Sequence, residues 1–79
     1  MDTNVAYEIF GRMMTEDRLY LDRRITFRRI CGWLEVSRRD LNSLVLRDMG
    51  MTGQELIRKY RDYAERRLRN KYAIKCFKL

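Results

Sequence analysis

An all-α, helix-turn-helix fold with a long last helix is what this sequence predicts, and three observations predict it. The chain has no Pro and only four Gly, and β-branched residues are sparse beside Met, Leu, Arg, Glu and Asp, a composition that favours helices over strands. Apolar residues return every three or four positions in several separate stretches. Ser, Thr and Gly punctuate those stretches where helices start and stop: Thr26, Ser37, Gly50 and Thr52. At 79 residues the chain is read as one domain, 1–79, with a modest core.

The first helix is expected to begin at Asp2 or Thr3, either of which can cap it. Val5, Ala6, Ile9, Phe10, Met13 and Met14 form its apolar stripe, and Glu8 and Arg12 pair four apart on the other face. It is a packing helix with no chemistry of its own. Residues 15–25 form a connector, extended or turned, in which Leu19 and Leu21 are the expected core anchors and Arg23 and Arg24 a solvated pair.

Thr26 is the expected cap of the second helix, with Arg29 where a capping box would place Glu or Gln. Phe27, Ile30, Cys31 and Leu34 share its inner face, and Trp33 falls to the side, at the core edge or, as the alternative, in an interface with another chain. Glu35 and Val36 make a turn. Ser37 caps the third helix, and Asp40 supports its first turn against the helix dipole. Leu41, Leu44 and Val45 face inward there, flanked by Asp48 and Met49, while Arg38, Arg39, Asn42, Ser43, Leu46 and Arg47 face outward. Gly50 closes the helix in the left-handed conformation. The helix-turn-helix core is therefore 26–49.

Thr52 and Glu55 form a T-x-x-E capping box for the last helix. Leu56, Ile57, Tyr60, Ala64 and Leu68 follow at helical spacing with Tyr63 beside them, and the helix is expected over about 53–71. The tail, 72–79, carries Ile74, Cys76, Phe77 and Leu79, which extend the helix or pair with another chain.

The formal charge is +7, distributed as −1 over 1–24, +2 over 25–50 and +6 over 51–79. Such a balance suits a nucleic-acid backbone or an anionic membrane. The apolar side of the basic last helix is claimed by the core, which argues against the membrane. No apolar run approaches the ~20 residues that span a bilayer, and MDTNVAYEIF lacks the basic start and apolar core of an export signal. The expected compartment is the cytoplasm. Cys31 and Cys76, with no His in the chain, make no zinc spacing, and Cys31 is expected as a buried free thiol. No metal or cofactor is expected. Enzyme chemistry is not expected either: there is no His, no Gly-rich phosphate loop, and neither a carboxylate pair nor a Cys–base pair.

The run I-T-F-x-x-I-C-x-x-L-x-V-S-x-x-x-L-x-x-L-V-x-x-x-x-G-M-T, followed by L-I-x-x-Y-R, resembles the first helix-turn-helix unit of the AraC family of bacterial transcription regulators. The resemblance covers residues 16–68. Ser37, Leu41, Leu44, Gly50, Thr52, Ile57 and Arg61 stand where that pattern places them. It implies a homeodomain-like four-helix domain that binds double-stranded DNA with residues 38–49 in the major groove. Two departures stand out. Glu35 occupies the turn position usually held by Gly, so it would have to tolerate a left-handed or strained backbone. The family carries two such units in tandem, and this sequence carries one, so a homodimer or a partner protein supplying a second unit is expected. In a homodimer on a palindromic site the two recognition helices would lie about 34 Å apart.

The resemblance implies base contacts from Arg39, Asn42 and Ser43, and the chemistry of the side chains agrees: Arg pairs with guanine O6 and N7, Asn with adenine N6 and N7. Arg38 and Arg47 at the helix ends are the expected phosphate contacts, joined by Arg28 and Arg29. Thr52 and the amides opening the last helix offer a further phosphate site. The alternative is a protein-interaction or dimerisation module of the same fold that does not bind DNA.

Overall fold

The protein is described from a computed structural model, over residues 2–72, with side chains described through Lys71. The described chain holds four α-helices and one 3₁₀ turn: α1 (Thr3–Thr15), the turn Leu19–Leu21, α2 (Phe27–Trp33), α3 (Arg38–Met49) and α4 (Gly53–Tyr72). It is all-α, and its last helix is the longest. No helix among the described residues is long and apolar enough to cross a membrane. The expected contacts of Ile74, Cys76, Phe77 and Leu79 lie outside the described residues.

Local chemistry sets most helix ends. The Thr26 hydroxyl accepts from the Arg29 amide at 3.2 Å and the Ser37 hydroxyl from the Asp40 amide at 3.3 Å. Each satisfies one of the orphan donors of a first turn. Thr52 and Glu55 complete the capping box: the Glu55 amide donates to Thr52 Oγ1 at 3.1 Å and the Thr52 amide donates to Glu55 Oε1 at 2.9 Å. Gly50 ends α3 at φ 71°. Glu35 sits at φ 50°, and its amide and that of Val36 donate back to Gly32 and Cys31. That is a Schellman closure of α2 with a carboxylic residue where Gly is the cheap choice. Asp2 precedes α1 without a side-chain cap bond.

The core gathers Ala6, Phe10 and Met14 of α1, Phe27, Ile30 and Cys31 of α2, Leu41 and Val45 of α3 and Ile57 of α4, with Ile25 and Leu34 from the connections. Phe10 meets Phe27 edge-on, ring centroids 5.4 Å apart at 78°, a favoured aromatic geometry. Two expectations about the core are corrected. Leu21 is not an anchor: it is 53 % exposed, and Leu19 alone of that pair packs against the core. Trp33 is 56 % exposed and does not cover the core edge. On α1 the stripe centres on Ala6, Phe10 and Met14, with Tyr7 packing in and Val5 exposed.

The connector is held by a group far along the chain. Arg61 of α4 donates from Nε to the Tyr20 carbonyl at 2.8 Å and from Nη2 to those of Asp22 and Ile25 at 3.2 and 3.4 Å. Tyr60, one residue before it, stacks on Tyr20 with ring centroids 5.2 Å apart.

The two open questions of backbone volume have opposite signs. A Cβ on Gly53 would overlap the buried Phe27 ring, whereas one on Gly11 would meet nothing within 4 Å. Gly53→Ala should therefore lower stability by about 1–3 kcal/mol despite its better helix propensity. Gly11→Ala should raise it by about 0.5–1 kcal/mol. Urea unfolding followed by circular dichroism checks both; equal effects would show that the Phe27 contact does not constrain the junction.

Candidate nucleic-acid interface

On α3 the core side is set by Leu41 and Val45, both fully buried. Rotation of 100° per residue then places Arg39, Ser43 and Arg47, at i, i+4 and i+8, on the row facing away from the core. All three are exposed, as are Arg38 and Leu46. Arg28 and Arg29 are exposed on α2, and Arg38 lies near enough to Cys31 to act on its thiol. Burial pushes that thiol up and the Arg38 charge opposes the rise. Cys31 is buried and free. Among the described residues Arg28, Arg29, Arg38 and Arg39 carry no ion pair.

Arg47 differs. Its Nε donates to Asp48 Oδ1 at 2.9 Å, and the Asp48 carboxyl is held below its usual range by that bond and by the Tyr7 hydroxyl of α1. The cation is exposed and partly neutralised by its neighbour in sequence.

Asn42 is half-buried, and its Oδ1 accepts from the Gly53 amide at 2.8 Å. It caps α4 across eleven residues of sequence. Pairing with adenine uses that same oxygen as the acceptor from N6, so an Asn42 that reads adenine must share the oxygen, through its second lone pair, with the Gly53 amide. Ser43 Oγ donates to the Arg39 carbonyl at 2.9 Å and is exposed. Of the three expected base contacts, Arg39 and Ser43 are exposed and Asn42 is half-buried and engaged at the start of α4.

Four of the amides at the expected phosphate site around Thr52 are engaged within the chain. The Thr52 amide is bonded to Glu55, the Gly53 amide to Asn42, the Glu55 amide to Thr52 and the Leu56 amide to the Thr52 carbonyl. The start of α4 has spent these donors on its own caps. Gln54, the residue between them, turns its Oε1 to accept the Phe27 amide at 2.9 Å. Asn42 and Gln54 therefore act on this face through other groups, and no short-range pattern announces them. Arg24, left as a solvated residue by the sequence, pairs with Asp22 at 3.1 Å.

No family model, curated protein or solved structure matches the chain.

Two outcomes follow from the caps. Asn42→Ala strands the buried Gly53 amide and should cost about 1–2 kcal/mol of stability, while Asn42→Asp, which keeps an acceptor, should recover most of it. Thermal unfolding separates these; an alanine variant as stable as the parent removes Asn42 from its capping role.

The second outcome concerns pH. Glu55 is lowered from its ordinary 4.5 by the Thr52 amide. Asp22 is lowered from 3.8 by the Arg24 guanidinium. With Asp48, these folded-state carboxyls bind fewer protons in acid than the unfolded chain does. Their contribution is whole above the ordinary values and is lost as pH falls through the lowered ones. Stability measured by urea titration should therefore decline below about pH 4.5, less steeply in Glu55→Gln. An unchanged acid limb in that variant would assign the decline to other groups.

Proposed function

We propose that this chain binds duplex DNA in a sequence-dependent manner and acts as a small transcription regulator, with α3 as its recognition helix. The observation that carries this is the exposed row Arg39–Ser43–Arg47 on α3, flanked by the guanidinium groups of Arg38, Arg28 and Arg29, which carry no ion pair among the described residues. An α-helix fits the major groove, and Arg is the side chain that most often reads guanine there. In this mechanism Arg39 reads a base edge and Ser43 contacts a neighbouring base. Arg38, Arg47, Arg28 and Arg29 bind phosphates, which fix register without carrying sequence information. The resemblance to the first AraC-family unit supports the same assignment of α3. Asn42 acts as the brace that orients α3 against α4, so its loss would reach DNA through stability. A single recognition helix reads a short site, and a second copy or a partner protein supplies the other half. A bacterial cytoplasmic setting belongs to this proposal.

Titration of labelled duplex DNA at several salt concentrations tests it. Four phosphate-contacting arginines give an expected slope of log K against log salt of about −3 to −4. Arg39→Ala should cost about 1–3 kcal/mol on a site selected from random DNA and relax preference at one base pair. Arg47→Ala should weaken all sequences alike and flatten the slope by about one unit. Binding that ignores salt, or that is the same in both variants as in the parent, would refute the assignment.

A further inference from the structure

The apolar stripe of α4 runs past the core it serves. Ile57 is fully buried and Tyr60 packs on the core, but the stripe continues in helical register through Tyr63 and Leu68, which are 64 % and 41 % exposed. Opposite them stand Leu21, which faces out of the connector, and Tyr20, held there by its stack on Tyr60. Between the end of α1 with its connector and this half of α4 lies an open groove of about 500 Å³. It follows α4 from Tyr60 to Lys71, a length of about 16 Å at 1.5 Å per residue, or three helical turns.

The rim of this groove has one sign. Its charged lining residues are Arg18, Arg67 and Lys71, and among the described residues no carboxylate lines it. Arg18 and Arg67 are exposed and carry no ion pair among the described residues. Arg18 is also held at φ 52°, in the left-handed region, where a non-glycine residue costs about 1–2 kcal/mol.

A second copy of this chain is a poor occupant. A twofold contact through the groove would set each copy's Arg18 and Arg67 against the same cations of the other, and juxtaposed like charges oppose association. A closed small-molecule site is a poor fit as well, because the groove is open along its length. An amphipathic helix laid in an apolar groove is the recognition mode that matches its length and lining, and the cations select its flanks.

We propose that the groove between the α1–connector edge and the second half of α4 docks an acidic amphipathic helix of a partner protein. Its apolar face rests on Leu21, Tyr63 and Leu68, and its carboxylates meet Arg18 and Arg67. This surface is separate from the α3 row and uses none of the residues assigned to DNA.

The test uses the full-length chain and two labelled synthetic peptides of about three to four helical turns, with the same Leu-rich face. One carries Glu at its flanks and the other Lys, and binding is read by fluorescence anisotropy. The Glu peptide should bind and the Lys peptide should not. Arg67→Glu and Leu68→Ser should each weaken the Glu peptide about tenfold or more. Arg18→Gly should do the same while leaving the protein as stable as the parent or more so, since Gly suits that backbone. Arg39→Ala should bind the Glu peptide like the parent, and excess duplex DNA should not displace it. Equal binding of both peptides would overturn the proposal. So would displacement by DNA, which would make the peptide a mere polyanion on α3. Two further results would reassign the groove and overturn the proposal too: a dimer in sedimentation equilibrium that Arg67→Glu dissolves, or flotation on anionic vesicles lost in the same variants. The DNA titrations stand or fall independently of every one of these results.

Discussion

Gly53 lies against the ring of Phe27, and the arrangement of the helix-turn-helix depends on that contact. A side chain on Gly53 would occupy the space of the ring, so α4 starts at the closest approach its backbone allows. Two hydrogen bonds pin the same spot. The Gly53 amide reaches Asn42 of α3, and Gln54 reaches back to the amide that opens α2. Three helices therefore meet at one junction with their first-turn or inner-face polar groups satisfied. α2 spans 7 residues and α3 spans 12, lengths that are marginal as isolated helices in water. Their mutual orientation must come from tertiary contacts, and this junction, with the edge-on Phe10–Phe27 pair behind it, supplies them.

The junction also decides which side chains α3 has left to offer. A polar residue on the flank of a helix can serve the interior or the solvent, and Asn42 turns its Oδ1 to the Gly53 amide. The fully outward row of α3 is Arg39, Ser43 and Arg47 with Leu46 alongside. Arg38 and Arg39 occupy the first turn of α3, where the positive end of the helix dipole disfavours cations. Local helix preference does not explain two arginines there. Residues that break a local rule without a compensating contact are the ones to suspect of function, and this is an argument for the α3 proposal independent of the total charge.

What could be read from sequence divides by range. The caps at Thr26, Ser37 and Thr52 and the left-handed Gly50 all depend on atoms within a few residues, and each is legible in its local sequence, whereas the backbone of Glu35 is raised only by the family resemblance. The same holds for the inner faces of α2 and α3, where a spacing of three and four is met by Phe27, Ile30, Cys31, Leu41 and Val45. Leu21 misled because the alternation of Leu and Tyr in the connector says nothing about where the connector lies, and Arg61, some forty positions later, decides that by binding its carbonyls. The capping bonds of Asn42 and Gln54 were silent for the same reason: their partners lie 11 and 27 residues away. Val5 sits at the margin of a stripe wider than the core it serves, and Tyr7 takes the place beside Phe10 that simple periodicity allots elsewhere.

Charge shows most plainly how a sum over residues differs from a surface. The greater part of the basic excess lies after Met51, outside the helix proposed to read DNA. Arg61 spends its guanidinium on three backbone carbonyls, and Arg67 lines the groove beside α4. Arg47 shares its charge with Asp48. Counterion release counts the phosphates actually touched and ignores cations placed elsewhere, so the net charge overstates what α3 can contribute to DNA. The remaining cations then need another account. A helix whose apolar stripe outruns its own core, edged by Arg18 and Arg67, which carry no ion pair among the described residues, is the basis of the docking proposal. On the two proposals together, one polar and arginine-rich face on α3 and one apolar face rimmed by arginine on α4 would let a domain of this size engage two partners without either competing for the other's side chains.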